Sequence, residues 1–227
     1  MIAADFTGLA IETSTEVCSI AVCRDGRIMQ RDYSGLADRS RSIYAWLGEL
    51  LEVNELRLAD LDAIAFGQGP GAFTGLRIAA AVAQGLGRGA GLPIIPVSSL
   101  QALALSAAAN SSASLTVAAA LDARMDEIYL GIYRLQNNEL ETLLADCLAK
   151  PDEVELPGGA ALLAAGPGWL AQPSMSRRLA RRITAVNGDL RPQAGALLQL
   201  AEPLLRAGKG LDAAAAVPNY LRNRVTG

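Results

Sequence analysis

The sequence predicts an α/β protein assembled from two copies of one strand-and-helix unit, and three observations carry that expectation. Two apolar runs, LAIE at Leu9–Glu12 and AAALD at Ala118–Asp122, each close on a carboxylate. Each is followed by a short turn, a second apolar run, a polar turn and a return run. Later in each half, an apolar strand opens into the same tripeptide, Gly69-Pro70-Gly71 and Gly166-Pro167-Gly168. This shared order of strands, acid and glycine loop reads as a duplicated βββαβα unit.

The elements follow in order. Leu9–Glu12 is a strand, closed by the polar turn Thr13-Ser14-Thr15. Val17–Cys23 and Arg27–Tyr33 form a hairpin about Asp25-Gly26, a dipeptide suited to tight strand reversals. A polar loop runs from Ser34 to Arg39, and Asp38 or Ser40 caps the next helix. In that helix Ile43, Trp46, Leu47, Leu50 and Leu51 recur at one-face spacing, with Tyr44 off the stripe. Arg39 and Arg41 oppose the helix dipole at its start; they are either solvated charges or groups with an external role. Leu61–Phe66 is a buried strand leading to the first glycine loop, and Pro93–Val97 is another short strand. Ser98 or Ser99 caps a helical run over Leu100–Ala109, and the polar Asn110–Ser114 marks the domain boundary.

The second half repeats the scheme. Leu115–Leu121 and Glu127–Leu135 are strands, Gln136-Asn137-Asn138 is a turn, and Glu139–Leu148 returns. Pro151–Gly159 is loop, and Ala160–Ala165 is the strand before the second glycine tripeptide. Arg177, Arg178, Arg181 and Arg182 form a local basic run, and Gln193–Ala207 is a helix. The expected domains are therefore 1–109, completed by a C-terminal helix near 211–227, and 110–210.

The chain is organised around FGQGPGAFTGLRIAAAVAQGLGRG, residues Phe66–Gly89. Its glycine- and proline-rich start continues neither a strand nor a helix cheaply. Thr74 then caps a helix over Gly75–Arg88. Ile78, Val82 and Leu86 make one apolar stripe, while Gly75, Ala79, Ala83 and Gly87 make a second stripe of very small residues. A small-residue stripe lets another element approach closely. Two readings of this helix stand side by side: shared with a partner protein, or internal to one domain.

Composition narrows the function classes. The chain has 227 residues, 51% hydrophobic and 19% charged, enough to bury a core of one large or two small domains. A net charge of −3 gives no basic face for autonomous nucleic-acid binding. No apolar run reaches membrane-spanning length, and the first residues do not read as a signal peptide. A cytosolic location is expected, with Cys18, Cys23 and Cys147 as free thiols. The sequence holds no histidine, which removes imidazole metal sites and Ser-His or Cys-His dyads within the chain. No metal site and no cofactor are expected.

A duplicated βββαβα unit is the actin-like pattern, in which glycine and hairpin loops hold nucleotide phosphates through backbone N–H groups. Here those loops are degenerate. Glu12, Thr13 and Ser14 lack a neighbouring glycine and a lysine, and Gly69 and Gly71 do not belong to a phosphate-loop motif.

LAIETST followed by CSIAV, then FGQGPGAFTGLRIA, then the C-terminal PNYLR, together resemble the bacterial TsaB (YeaZ) family. The likeness covers nearly the whole chain and is strongest over Asp62–Ala80; the middle and Gly159–Asp189 match loosely. It implies an ASKHA (ribonuclease H-like) fold and a non-catalytic subunit of the machinery that makes tRNA threonylcarbamoyladenosine. It implies a heterodimer with the paralogous enzyme TsaD, which modifies N6 of adenosine 37, and association with the ATPase TsaE. It also implies self-association through the same helices, contact with tRNA only through the complex, and no membrane. TsaD uses a histidine pair for its metal, and this chain has none. Carried onto this sequence, the contact helices are Ser40–Val53 and Gly75–Arg88. The interface candidates are Tyr44, Trp46, Leu47, Leu51, Gly75, Ile78, Ala79, Val82, Ala83 and Leu86.

Two alternatives belong to other classes. A nucleotide-dependent ATPase or kinase would use Glu12 and Asp122. A peptidase would use Ser14 or Thr15 with Lys150 or Lys209 as base.

Overall fold

A computed structural model of the chain describes residues 2–34, 39–109, 114–137, 139–159 and 161–222, without the side chains of 39–41. The chain divides into two compact units, one formed by Met1–Ser99 with Gln193–Pro218, the other by Leu100–Pro192 with Asn219–Gly227.

The first unit is a five-stranded sheet of β1 (Gly8–Glu12), β2 (Val17–Arg24), β3 (Arg27–Ser34), β4 (Ala63–Gly69) and β5 (Ile94–Ser98). They lie in the order β3-β2-β1-β4-β5. The hairpin strands are antiparallel, and β4 runs parallel to both β1 and β5. Period-two alternation gives the sheet two unlike faces. Leu9, Ile11, Ile20, Val22, Ile64 and Phe66 build the bulky one, with register pairs such as Leu9–Ile64 and Ile11–Phe66. Against it pack α1 (Arg39–Val53) and α2 (Phe73–Ala90). The other face is paved with Gly8, Ala10, Ser19, Ala21, Ala63 and Ala65, and the short side chains admit α6 (Ala194–Arg206). Ala194 N–H donates to Ser19 Oγ at 3.0 Å and Gly195 N–H to Gln30 Oε1 at 2.9 Å, which satisfies free donors of that helix start.

The second unit repeats the sheet with β6 (Leu115–Arg124), β7 (Glu127–Gln136), β8 (Glu139–Ala149), β9 (Leu162–Ala165) and β10 (Ile183–Asn187). Their order, β10-β9-β6-β7-β8, is the first unit's order strand for strand. One face carries α3 (Ser99–Ala108) through Leu100, Leu103 and Ala104. The other carries α4 (Gly168–Ala171) and α5 (Pro173–Arg178), with Trp169 Nε1–H bonded to the Ala118 carbonyl at 2.9 Å. The first residues of the two glycine tripeptides, Gly69 and Gly166, have φ of 111° and 98°, a region side chains disfavour.

Several expectations are corrected. The first unit is not completed by a helix near 211–227: among the described residues that stretch holds a β-bridge from Leu211 to Ile94 and a 3₁₀ turn at Ala213–Ala215 but no α-helix, and residues 223–227 lie outside the described ones. The helix that does complete it is α6, expected in the second domain, and the break between units falls at Ser99 rather than after residue 109. The Asn110–Ser114 break lies mostly outside the described residues, as do Asp38, most of the loop from Ser34 to Arg39, and Asn138. Ser40 lies inside α1, one residue past its start at Arg39, and not at a cap position. α2 starts earlier than expected, with Ala72 and not Thr74 at its cap position. No helix is described between β8 and β9, so the second copy is a trimmed one.

Why α2 lies where it does is a question of glycine. A Cβ added at Gly75 would fall 1.8 Å from the Thr13 carbonyl oxygen, and one at Gly87 would fall 2.4 Å from Ile94 Cδ1. Gly75→Ala should therefore lower stability by at least about 3 kcal/mol, the upper range for overpacking against backbone. Urea denaturation of the variant checks it; a midpoint equal to the parent's would show that the contact is not as close as described.

Candidate functional site

Two features of the first unit are candidates for function: the loop cluster at the C-terminal ends of β1 and β4, and the outer surface of α1 and α2.

The loop cluster is tightly closed. Glu12 ends β1 with 1% of its surface exposed; Thr13 and Ser14 are also buried. Ser14 N–H donates to Glu12 Oε1 at 2.6 Å, and Ser99 Oγ–H donates to Oε2 at 2.7 Å. Burial pushes the Glu12 carboxyl up from the usual range, while hydrogen bonds from Ser14, Ser99 and Thr13 pull it back. Thr13 Oγ1–H bonds the Gly75 carbonyl at 2.7 Å, and Ala72 N–H bonds the Ser14 carbonyl at 2.7 Å. The turn after β1 is thus stapled to the first turn of α2.

This arrangement bears on the enzymatic alternatives. Ser14 Oγ is buried, so a substrate carbonyl has no approach to it. Thr15 Oγ1 accepts from Val17 N–H at 3.3 Å, inside its own turn. Lys150 pairs with Glu153 at 3.1 Å. Asp122 accepts from Arg124 N–H at 2.8 Å and pairs with that guanidinium at 3.2 Å, bracing the β6–β7 turn. Among the described residues no group of three or more acids or thiols is placed to hold a metal ion. Burial pushes the Cys23 thiol up to about 11, so it stays protonated at neutral pH.

The structure sorts the interface candidates into two sets. Leu47, Leu51, Gly75, Ala79, Val82 and Ala83 are buried in their own unit, against the bulky sheet face or the Thr13–Ser14 turn. For these six, the expectation of a partner-facing position is corrected: the small-residue stripe admits the helix's own sheet and loop. Tyr44 is 50% exposed, and Trp46, Ile78 and Leu86 are half-buried at the edge of the core. Trp46 stacks on Tyr33 with ring centroids 3.8 Å apart.

Residues missed by periodicity complete the surface. On α2, Phe73, Thr74, Arg77, Ala81, Gly85, Arg88 and Gly89 are exposed; on α1, Ala45, Gly48, Glu49, Glu52 and Val53. The Arg77 guanidinium lies 3.7 Å from the Phe73 ring centroid. A Cβ at Gly85 would sit 3.7 Å from Tyr44 Oη, so the two helices adjoin where they reach solvent. Gly48 and Gly89 have open space where a Cβ would go. The exposed faces thus carry small residues, the large apolar side chains of Tyr44, Phe73 and Val53, and the charges of Glu49, Glu52, Arg77 and Arg88. Helix spacing alone could have raised this second stripe, Ala81–Gly85–Gly89.

The arginine run divides as well. Arg178 donates to the carbonyls of Pro151 and Val154, both at 2.8 Å, and Arg182 to Pro157 at 3.0 Å, so both clip a loop of their own unit. Arg177 and Arg181 are exposed. Arg39 and Arg41 belong to α1, with side chains outside the described part.

Two sheets of one strand order, each with a glycine loop leading to a helix, define a duplicated α/β protein of the actin-like, ASKHA class. The family description "TsaD: tRNA N6-adenosine threonylcarbamoyltransferase" matches residues 36–181. The Escherichia coli "tRNA threonylcarbamoyladenosine biosynthesis protein TsaB" is 34% identical over 224 residues, covering 96% of this chain and 95% of the relative. A tRNA N6-adenosine threonylcarbamoyltransferase of Polynucleobacter asymbioticus is 32% identical over 149 residues, 59% of this chain and 42% of its own length. The solved structure of YeaZ from Pseudomonas aeruginosa superposes with a TM-score of 0.85 at 37% identity, covering 95% of this chain and all of that one. The chain belongs to the TsaB (YeaZ) family of tRNA threonylcarbamoyladenosine biosynthesis proteins.

The burial pattern yields a test. Ala79→Arg and Ala83→Arg place a charge in the core and should abolish folding, whereas Ala81→Arg should leave stability within about 0.5 kcal/mol of the parent. Circular dichroism melts of the three variants check it; a folded Ala83→Arg protein would contradict the assigned faces.

Proposed function

We propose that this protein is a non-catalytic subunit of tRNA threonylcarbamoyladenosine synthesis, and that it binds and activates a TsaD-type enzyme through the outer surface of α1 and α2. The observation that carries the reading is that surface: small residues Ala45, Gly48, Ala81, Gly85 and Gly89 beside exposed Tyr44, Phe73 and Val53. Small residues let a partner helix approach closely, and the exposed apolar side chains supply contact area once it does. Of the earlier candidates, Tyr44, Trp46, Ile78 and Leu86 remain at this surface. The same surface serves a second copy when the enzyme is absent, so homodimer and heterodimer compete. A TsaE-type ATPase joins the pair, tRNA is met only through the complex, and the setting is the cytoplasm. Support comes from membership of the TsaB family and from the closed Glu12 loop cluster, which gives a reacting group no approach.

The decisive measurement is titration calorimetry with the TsaD-type enzyme from the same cell. Ala81→Arg and Gly85→Arg should weaken association by at least about 100-fold, the scale of a central hot-spot loss, with melting temperatures kept. Undiminished binding by both folded variants sinks the reading. Titration of the isolated chain with ATP and magnesium should give no saturable heat; tight binding lost in Glu12→Ala would instead favour a nucleotide-dependent enzyme.

A further inference from the structure

The loop cluster at the end of β1 has the parts of an anion site and already holds an occupant. Backbone geometry leaves a space there that no side chain from the surrounding glycines could share. A Cβ at Gly67 would fall 2.1 Å from Glu12 Oε2, and one at Gly71 would fall 2.5 Å from Ser14 Cβ. Into this space point a backbone N–H from Ser14 and the hydroxyl of Ser99, the first residue of α3. A further hydroxyl, Ser14 Oγ, belongs to a residue 3% exposed and lies beside the same carboxylate. Converging N–H and O–H donors around a dry cavity are how proteins hold a free phosphate or carboxylate. What they hold here is tethered to the chain. Both Glu12 oxygens accept, one from each donor.

We propose that Glu12 is a built-in anion: its carboxylate occupies the ligand position of the loop cluster, closes that cradle to free phosphate, and holds the Thr13–Ser14 turn against α2. The physical path is short. The Glu12 bond to Ser14 N–H fixes the turn, and the turn fixes α2 through Thr13 Oγ1 to Gly75 and Ala72 N–H to Ser14. A free anion in this place would leave when diluted, whereas a tethered one holds the helix at any solute concentration. The loop cluster is then a structural joint in which a side chain has replaced a bound ligand.

The test is anion rescue on the full chain, with no partner needed. Glu12→Ala leaves the donors unanswered around an empty space, and its melting temperature should fall by about 5–10 °C. Excess sodium formate, a carboxylate small enough for the vacated space, should raise the melting temperature of Glu12→Ala and leave the parent unchanged. Inorganic phosphate should not stabilise the parent, whose cradle is full. A folded Glu12→Ala protein indifferent to formate overturns the proposal, as does a parent stabilised by phosphate in a manner that Glu12→Ala abolishes. Should Glu12→Ala fail to fold in every buffer, Glu12→Gln decides. It keeps volume and loses charge, so it must melt several degrees below the parent, and a Glu12→Gln protein as stable as the parent overturns the proposal.

Discussion

The approach of α2 to the turn after β1 is the constraint on which the first unit depends. Gly75 lets the helix backbone come so near the Thr13 carbonyl that no side chain fits between them. Two hydrogen bonds, from Thr13 to Gly75 and from Ala72 to Ser14, close the contact. A helix held this closely at its start has little freedom to roll, so the sheet decides its inward face and solvent receives the rest. The outward face of α2 is therefore set by the packing of its own unit, the preorganisation that the proposed docking needs.

The duplicated architecture shows how one plan serves different ends. Both copies keep the 3-2-1-4-5 strand order and a left-handed glycine at the head of the loop after the fourth strand. In the second unit that loop sits on the Ala120 backbone, and Trp169 bonds the Ala118 carbonyl. In the first unit the corresponding loop sits on Glu12 and Ser14. The common geometry is a glycine loop pressed against the end of the central strand. What differs is the filling: an indole packed on one sheet, a hydrogen-bonded carboxylate in the other.

Much of this was legible from residue order. The hairpin at Asp25-Gly26, the alternating carboxylate-closed strands and the repeated Gly-Pro-Gly each specify local geometry through few residues. On α1 the spacing of Ile43, Trp46, Leu47, Leu50 and Leu51, set against Glu49 and Glu52, marks one apolar face but not what covers it: Leu47 and Leu51, expected at a partner, lie in the core of their own unit. α2 lacked such contrast. Its two stripes, Gly75–Ala79–Ala83–Gly87 and Ala81–Gly85–Gly89, are alike in size and polarity, and only tertiary contacts separate them, with the Thr13 turn at one end and Ile94 at the other. The membership of α6 was hidden for a related reason. Its periodicity declares a buried face, but the sheet that buries it is the alanine-paved side of strands made much earlier in the chain.

That last arrangement has a consequence for how the molecule is made. The first sheet is complete once Ser98 has left the ribosome, yet the helix that packs on its small-residue face comes from the segment Gln193–Pro218. Through the synthesis of nearly a hundred further residues, that face waits without its lid. Packing of the leading half consequently waits on a segment made much later in the chain, and the interval is when a nascent-chain chaperone has its opening.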